Sequence, residues 1–222
     1  VKILALETAT DVCSVALSVE GVCYERNLPD RRHAERVIEL VDALLLEAGV
    51  ALRELDVIAF GRGPGMFTGL RIGAGVAQGL AFAADLPVVP VSTLEILAHG
   101  SEGDRILAAL DARMGQIYWG LFERDPSQQL VAASAERVDA PEGIHVSGTG
   151  WIGAGSGWDR YGDTMAAALG AALAHIERGR HPRARDLVTL ARNRVRAGGA
   201  LAPELALPVY VRDDVARKSD ER

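Results

Sequence analysis

The sequence predicts an α/β protein of two lobes, the second smaller and degenerate. Three observations carry that expectation. The chain opens on an alternating three-strand meander. A buried strand then runs through a glycine loop into a long small-residue helix over residues 56–85, and a strand–turn–strand pattern returns after residue 104. At 222 residues the chain can bury one large core or divide it between two modest ones. Only 5% of it is aromatic, so the core must rest on alanine, leucine, valine and isoleucine.

Residues 2–7 (KILALE), 13–19 (CSVALSV) and 22–28 (VCYERNL) alternate as strands, with Glu20 and Gly21 supplying a tight turn. A helix follows over 34–48, where Val37, Ile38, Val41, Leu44, Leu45 and Ala48 recur at helical spacing and Gly49 stops it. Residues 57–60 suit a buried strand, and Gly61, Gly63 and Gly65 permit backbone angles or approaches closed to larger residues. The next helix runs over 68–84 with Thr68 as its cap. Its Gly69, Gly73, Gly75 and Gly79 each weaken it by roughly 0.8–1 kcal/mol relative to alanine. Such a helix must be held by tertiary contact.

LPVVPV at 86–91 reads as a further strand, and Ser92 or Thr93 caps a short helix ending near Gly100. SEGDR at 101–105 marks a boundary. Beyond it come strands at 105–110, 116–122 and 130–134, then GIHVSGTGW at 143–151 without another apolar strand–helix pair. Helices are expected over 164–179 and 185–196. LPVYVR at 207–212 is extended and lies back on a lobe, and the charged tail 213–222 is expected to fray. The expected division is a first lobe of 1–103, a second of 104–206 and an extended segment of 207–222.

The net charge of -6 argues against autonomous nucleic-acid binding, which needs a basic footprint. Arginines cluster only over 175–196, as a solvated helix and loop or as a surface steering RNA or an acidic partner. Cys13 and Cys23 fall in strands and are expected as reduced, packed thiols of a cytoplasmic protein. The N-terminal apolar run is too short for a signal peptide. No membrane span is expected either, because Arg71 and Gln78 interrupt the most apolar helix.

The glycine loop invites a nucleotide reading, but it carries no lysine and fails GxGxxG because residue 66 is methionine. Two readings stand: a turn required for close strand–helix packing, or a vestigial anion-facing site. The latter would use the amides of Gly61, Gly63 and Gly65, the hydroxyl of Thr68 and charge from Arg62 or Arg71. Glu7 ends the first strand beside Thr8, Thr10 and Asp11, and Asp111 ends the corresponding strand of the second half. Two such acids facing a cleft can organise a metal–phosphate group, or can serve as turn residues. His33 is followed one turn later by Val37, and no HExxH occurs, so no metal set is expected. Ser92, Ser147 and Ser156 lie outside any GxSxG, so no catalytic residue is assigned. Tyr118 and Trp119 suit packing; Trp151 and Trp158 flank GAGSG and brace it or meet a protein.

KILALETATDVCSVAL at 2–17, FGRGPGMFTGLRIGAGVAQGLA at 60–81, ALDARMGQIYW at 109–119 and PVYVR at 208–212 together resemble the TsaB (YeaZ) family, glycoprotease-like proteins of bacterial threonylcarbamoyladenosine biosynthesis. The resemblance covers almost the whole chain. It implies the actin/sugar-kinase/Hsp70-like (ribonuclease H-like) fold. It also implies a non-catalytic scaffold in making threonylcarbamoyladenosine at position 37 of tRNAs that read codons beginning with adenine. The implied partners are the metal-dependent catalytic paralogue TsaD, the ATPase TsaE, and a second copy of the chain in isolation, with tRNA as the substrate of the assembly. No cofactor is implied for the chain alone, while ADP or ATP could sit at the interface with the catalytic partner. That partner uses paired helix histidines, where this sequence has His33 and Val37, and Glu7 stands where the family more usually has aspartate. The partner surface implied is the helix pair 34–48 and 69–84, with Val37, Val41, Met66, Phe67, Leu70, Arg71, Gly73 and Ala77 as its contacts, an intramolecular role standing as the alternative for Met66, Phe67, Leu70 and Arg71. The alternatives are a metal-dependent glycoprotease-like peptidase and a small nucleotide-dependent kinase.

Overall fold

A computed structural model describes residues 1–29 and 33–212. The charged tail 213–222 therefore lies outside the described residues. The opening meander is present: β1 (Ile3–Glu7), β2 (Cys13–Val19) and β3 (Val22–Leu28) pair antiparallel in sequence. Glu20 and Gly21 take the left-handed angles that a two-residue hairpin turn requires. Helix α1 (His33–Ala48) leads to β4 (Val57–Gly63), α2 (Phe67–Ala84), β5 (Val88–Ser92) and α3 (Thr93–His99). Strand β4 joins β1 in parallel, and β5 joins β4, which gives a five-stranded sheet of order β3-β2-β1-β4-β5.

The pattern repeats. β6 (Arg105–Arg113) pairs antiparallel with β7 (Gln116–Arg124), which carries β8 (Leu130–Ala132) and β9 (Arg137–Asp139) on its far side. β10 (Trp151–Ala154) then joins β6 in parallel, and α4 (Ser156–Leu169) crosses to β11 (Leu173–Glu177). In the position that α1 holds in the first half, the second half has only a loop with a single turn at Pro141–Gly143. That is the physical content of its degeneracy.

Two expectations for this half need correction. Residues 143–151 do lead into a strand–helix pair, β10 and α4. The helix foreseen over 164–179 ends at Leu169, and Leu173–Glu177 is a strand. Gly155 (φ 107) turns β10 into α4, and a Cβ there would lie 2.3 Å from the Ala109 carbonyl oxygen. GAGSG is thus a strand–turn–helix corner and not an open loop. Its first glycine makes room for Trp158, whose indole N–H donates to the Leu107 carbonyl at 2.9 Å. The alanine-rich run favours helix, but pairing with the open edge of β10 overrides that preference after Gly170.

Alternation along the strands fills four buried layers. Leu4 and Leu6 face α1 and α2 with Val37, Val41, Leu44, Ala74, Ala77 and Ala81; Ile3 and Ala5 face the opposite side. That opposite side is covered by α5 (Ala184–Arg196) through Ala184, Leu187, Val188, Leu190 and Ala191. Conversely, α3 follows the first sheet yet packs Leu94, Leu97 and Ala98 on the second. Each half therefore lends its last helix to the other's sheet. A boundary at 103/104 describes the strands, but the cores on the two sides of it are interleaved.

Helix α2 starts at Phe67 after Met66, and Thr68 is exposed within its first turn, so the expected cap is displaced. Ser92 does cap α3, its hydroxyl accepting from the Glu95 N–H at 3.3 Å. The glycines of α2 fall into two classes. A Cβ at Gly69 would sit 2.0 Å from the Thr8 carbonyl oxygen, whereas Gly75 and Gly79 face open space. We expect Gly69→Ala to lower stability by more than about 2 kcal/mol, and Gly79→Ala to raise it by about 0.5–1 kcal/mol, both read by urea unfolding. Equal effects of the two substitutions would contradict this assignment.

Candidate functional site

Strand β1 ends on Glu7, and the turn after it, Thr8–Ala9, is the seat of the glycine-rich segment. The Thr8 hydroxyl donates to the Gly69 carbonyl at 2.8 Å, and the Met66 N–H donates to the Ala9 carbonyl at 2.8 Å. A Cβ at Gly73 would lie 2.3 Å from the Thr8 hydroxyl oxygen. Gly65, Gly69 and Gly73, spaced four apart, thus form one edge that closes on the protein's own backbone. Gly75 and Gly79 lie about 120° around the helix from Gly69 and Gly73 and form a second edge that faces open space among the described residues.

Glu7 is fully buried. Its carboxyl accepts from the Ala9 N–H at 2.7 Å and from the Thr93 hydroxyl at 3.3 Å, and Gly61 lies against it so closely that a Cβ would sit 2.0 Å away. Burial pushes its pKa from 4.5 up to about 7, against the opposing pull of those hydrogen bonds. Gly61 and Gly63 pack on Glu7 and Val209, so of the three loop glycines only Gly65 lines the cleft between the lobes.

That cleft has a volume of about 250 Å³, between the β1–β2 turn and the ends of β6 and α4. Glu7 is turned away from it, whereas Asp111 faces it and is held by Arg113 at 3.2 Å and Arg160 at 3.0 Å. The Asp111 N–H donates to Ser156 Oγ at 3.1 Å, and Arg113 also reaches Asp11 on the opposite lobe at 3.8 Å. The two strand-end acids are therefore not brought together, and the one in the cleft is neutralised by the chain's own arginines. Among the described residues no three His, Cys, Asp or Glu side chains converge as a metal site.

Most of the arginine cluster is likewise engaged within the chain. Arg180 pairs with Glu177, Arg183 with Asp186, Arg185 with Glu25 and Arg194 with Glu95, while Arg192 donates to Ser18. No described helix is long and apolar enough to cross a membrane. Of the two cysteines, Cys13 is buried and Cys23 partly so.

Of the eight residues expected on a partner surface, five face inward. Val37, Val41, Leu70 and Ala77 have at most 1% exposure, and Gly73 is closed against Thr8. The first four fill the first lobe and hold its helices to the sheet, so their helical spacing marks a core face. Met66 is half-buried, and Phe67 and Arg71 are exposed. The outer face of α2 is completed by residues that sequence reasoning passed over. Phe82 is 59% exposed and Phe67 48%, with Gly75 and Gly79 between them, and the Arg71 guanidinium lies 3.8 Å from the centre of the Phe67 ring. Tyr210 extends this face, its ring 5.4 Å from Phe67 and its hydroxyl accepting from Arg71 at 3.2 Å. The signal was present: the glycines fall into two four-residue series, 65/69/73 and 75/79, and only the second is flanked by phenylalanines on its own face.

Two sheets of like topology, each lending a helix to the other across a cleft, define the two-lobed actin-like class. The family model described as TsaD, tRNA N6-adenosine threonylcarbamoyltransferase, matches residues 27–219. The chain is 39% identical to the tRNA threonylcarbamoyladenosine biosynthesis protein TsaB of Escherichia coli K12, over 98% of this chain and 97% of that one. It is also 39% identical to TsaB of Haemophilus influenzae, over 72% and 73% of the two chains. A solved structure of YeaZ from Pseudomonas aeruginosa is similar with a TM-score of 0.87 and 42% identity, covering 94% of this chain and 99% of that one. The chain belongs to the TsaB (YeaZ) family of glycoprotease-like, actin-fold proteins.

The buried Glu7 has a consequence for stability. Below pH 4.5 the carboxyl is protonated in the folded and the unfolded chain alike. As the pH rises toward 7 the unfolded chain releases a proton that the fold retains, so stability falls across that window and levels off above it. We expect Glu7→Gln to remove this fall, a difference of roughly 3 kcal/mol between pH 4 and pH 8 in urea unfolding. A wild-type-minus-variant difference that stays constant with pH would contradict the assignment.

Proposed function

We propose that this chain is a non-catalytic scaffold in forming N6-threonylcarbamoyladenosine at position 37 of tRNAs that read codons beginning with adenine. In this reading it docks the metal-dependent catalytic relative TsaD through the outer face of the α1–α2 pair, and the ATPase TsaE joins that assembly. Family membership supports the pathway. The docking role rests on one observation: α2 closes its inner glycine edge on Thr8–Ala9 and leaves an apolar outer edge, Phe67, Gly75, Gly79 and Phe82, exposed. Small residues between aromatic anchors admit a second helix at short distance and supply buried area at the centre of an interface. Helix α1, packed beside α2, leaves Ile38 and Leu46 exposed as well.

Two further features favour a scaffold. Asp111, the strand-end acid that faces the cleft, is held by two arginines, and Val37, one turn after His33, is a core residue. In isolation the same outer face serves a second copy of the chain. The pairing of the arginine cluster favours tRNA recognition through the assembly over direct binding by this chain. Nucleotide, if it takes part, belongs at the boundary with the catalytic relative.

The test is reconstitution. The purified chain alone should transfer no threonylcarbamoyl group to tRNA, and adding the catalytic relative and the ATPase should restore transfer. Gly79→Gln and Phe82→Asp should each weaken association with the relative about tenfold or more by calorimetry, without lowering the unfolding midpoint. Transfer by the chain alone would refute the scaffold reading. Unchanged association in both variants would remove α2 from the interface.

A further inference from the structure

The β6–β7 hairpin tip is held from two sides. Arg113 and Met114 both adopt left-handed backbone, φ 63 and 54, which side-chain-bearing residues rarely do, and the Asp111 carboxylate steadies the turn by accepting from the Arg113 N–H at 2.9 Å. On the cleft side Arg113 reaches Asp11 of the first lobe. On the other side Arg212 donates to the Ala112 carbonyl at 3.3 Å and to the Gln116 side chain, with Met114 sulfur 3.7 Å away.

The residues just before Arg212 are tied to the first lobe. The Val209 N–H donates to the Arg62 carbonyl at 2.7 Å, and a Cβ at Gly63 would lie 2.7 Å from the Val209 carbonyl oxygen. Tyr210, between the two anchors, lies on Phe67 and bonds Arg71 at the outer face of α2. Within four residues the segment therefore touches the end of β4, the docking face and the opposite lobe. A hollow of about 210 Å³ lies there, lined by Phe67, Arg113, Tyr118, Tyr210 and Arg212 among others. Extended chain advances at most about 3.3–3.6 Å per residue, so so short a link passes on a displacement instead of absorbing it.

We propose that residues 207–212 form a strap that couples docking on the outer face of α2 to the position of the β6–β7 hairpin, and so to the width of the interlobe cleft. This rests on the docking reading above. A partner seated over Phe67 holds Tyr210; Tyr210 held in place limits Arg212; and Arg212 sets the hairpin tip against the first lobe. The coupling is reciprocal, so releasing the hairpin loosens Tyr210 on the docking face.

Hydrogen exchange at the hairpin amides, measured on the full chain with and without the catalytic relative, tests this. In the wild type, the relative should slow exchange at residues 112–117 about tenfold. In Arg212→Ala, and in Gln116→Ala, which cuts a strap contact from the hairpin side, the free hairpin should exchange about tenfold faster. The relative should still bind these variants within about threefold of wild type while no longer protecting the hairpin. Protection that persists in both variants would mean that the relative covers the hairpin directly, and would overturn the strap. Unchanged exchange in the free variants, or no protection in the wild-type complex, would overturn it too. Absence of any complex by calorimetry would remove the docking reading, and the coupling with it.

Discussion

The seating of α2 on the Thr8–Ala9 turn is the constraint on which the rest of the structure depends. Two hydrogen bonds, from the Thr8 hydroxyl to Gly69 and from the Met66 N–H to Ala9, draw a helix against a strand end at backbone distance. Only glycine fits at Gly69 and Gly73, and the helix accepts its low intrinsic stability because the sheet holds it. The same seating closes the glycine loop over Glu7, which leaves that carboxyl buried, hydrogen-bonded to Ala9 and Thr93, and away from the cleft. A single packing decision therefore explains both the departure from a nucleotide-binding loop and the orientation of the helix's other edge.

The docking proposal rests on that other edge. In a chain of net charge -6 with few aromatics, two of the four phenylalanines stand exposed on one helix face with glycines between them. Phe67 packs on Arg71 and Tyr210, yet both rings stay about half exposed on a helix already weakened by glycine, which suits an interface. The cleft, by contrast, is held by ion pairs among its own residues: Asp111 with Arg113 and Arg160, and Arg113 with Asp11 across the lobes.

Much of the first lobe was legible in the sequence because each local signal agrees with its context. Alternation fixed the meander, the Glu20–Gly21 turn joined its hairpin, and small residues followed a buried strand. The second lobe was harder because propensity and pairing disagree there. Residues 164–179 are rich in alanine and read as one helix, but an open parallel edge at β10 turns Leu173–Glu177 into strand. The GAGSG corner reads as a loop until Trp158 is seen filling the space its first glycine leaves. Interleaving by α3 and α5 leaves no local trace, since a helix's apolar stripe does not say which sheet it covers. The candidate surface was half legible for a related reason: Val37, Val41, Leu70 and Ala77 carry the periodic apolar signal, and periodicity marks the buried side.

The central claim is that the outer edge of α2, and not the cleft, meets the catalytic relative. Photo-crosslinking tests it most directly, with a photoreactive side chain placed either at Ala83 on that exposed edge or at Arg180 on the rim of the cleft. The account predicts efficient crosslinks to the relative from Ala83 and background levels from Arg180. The reverse pattern would contradict it.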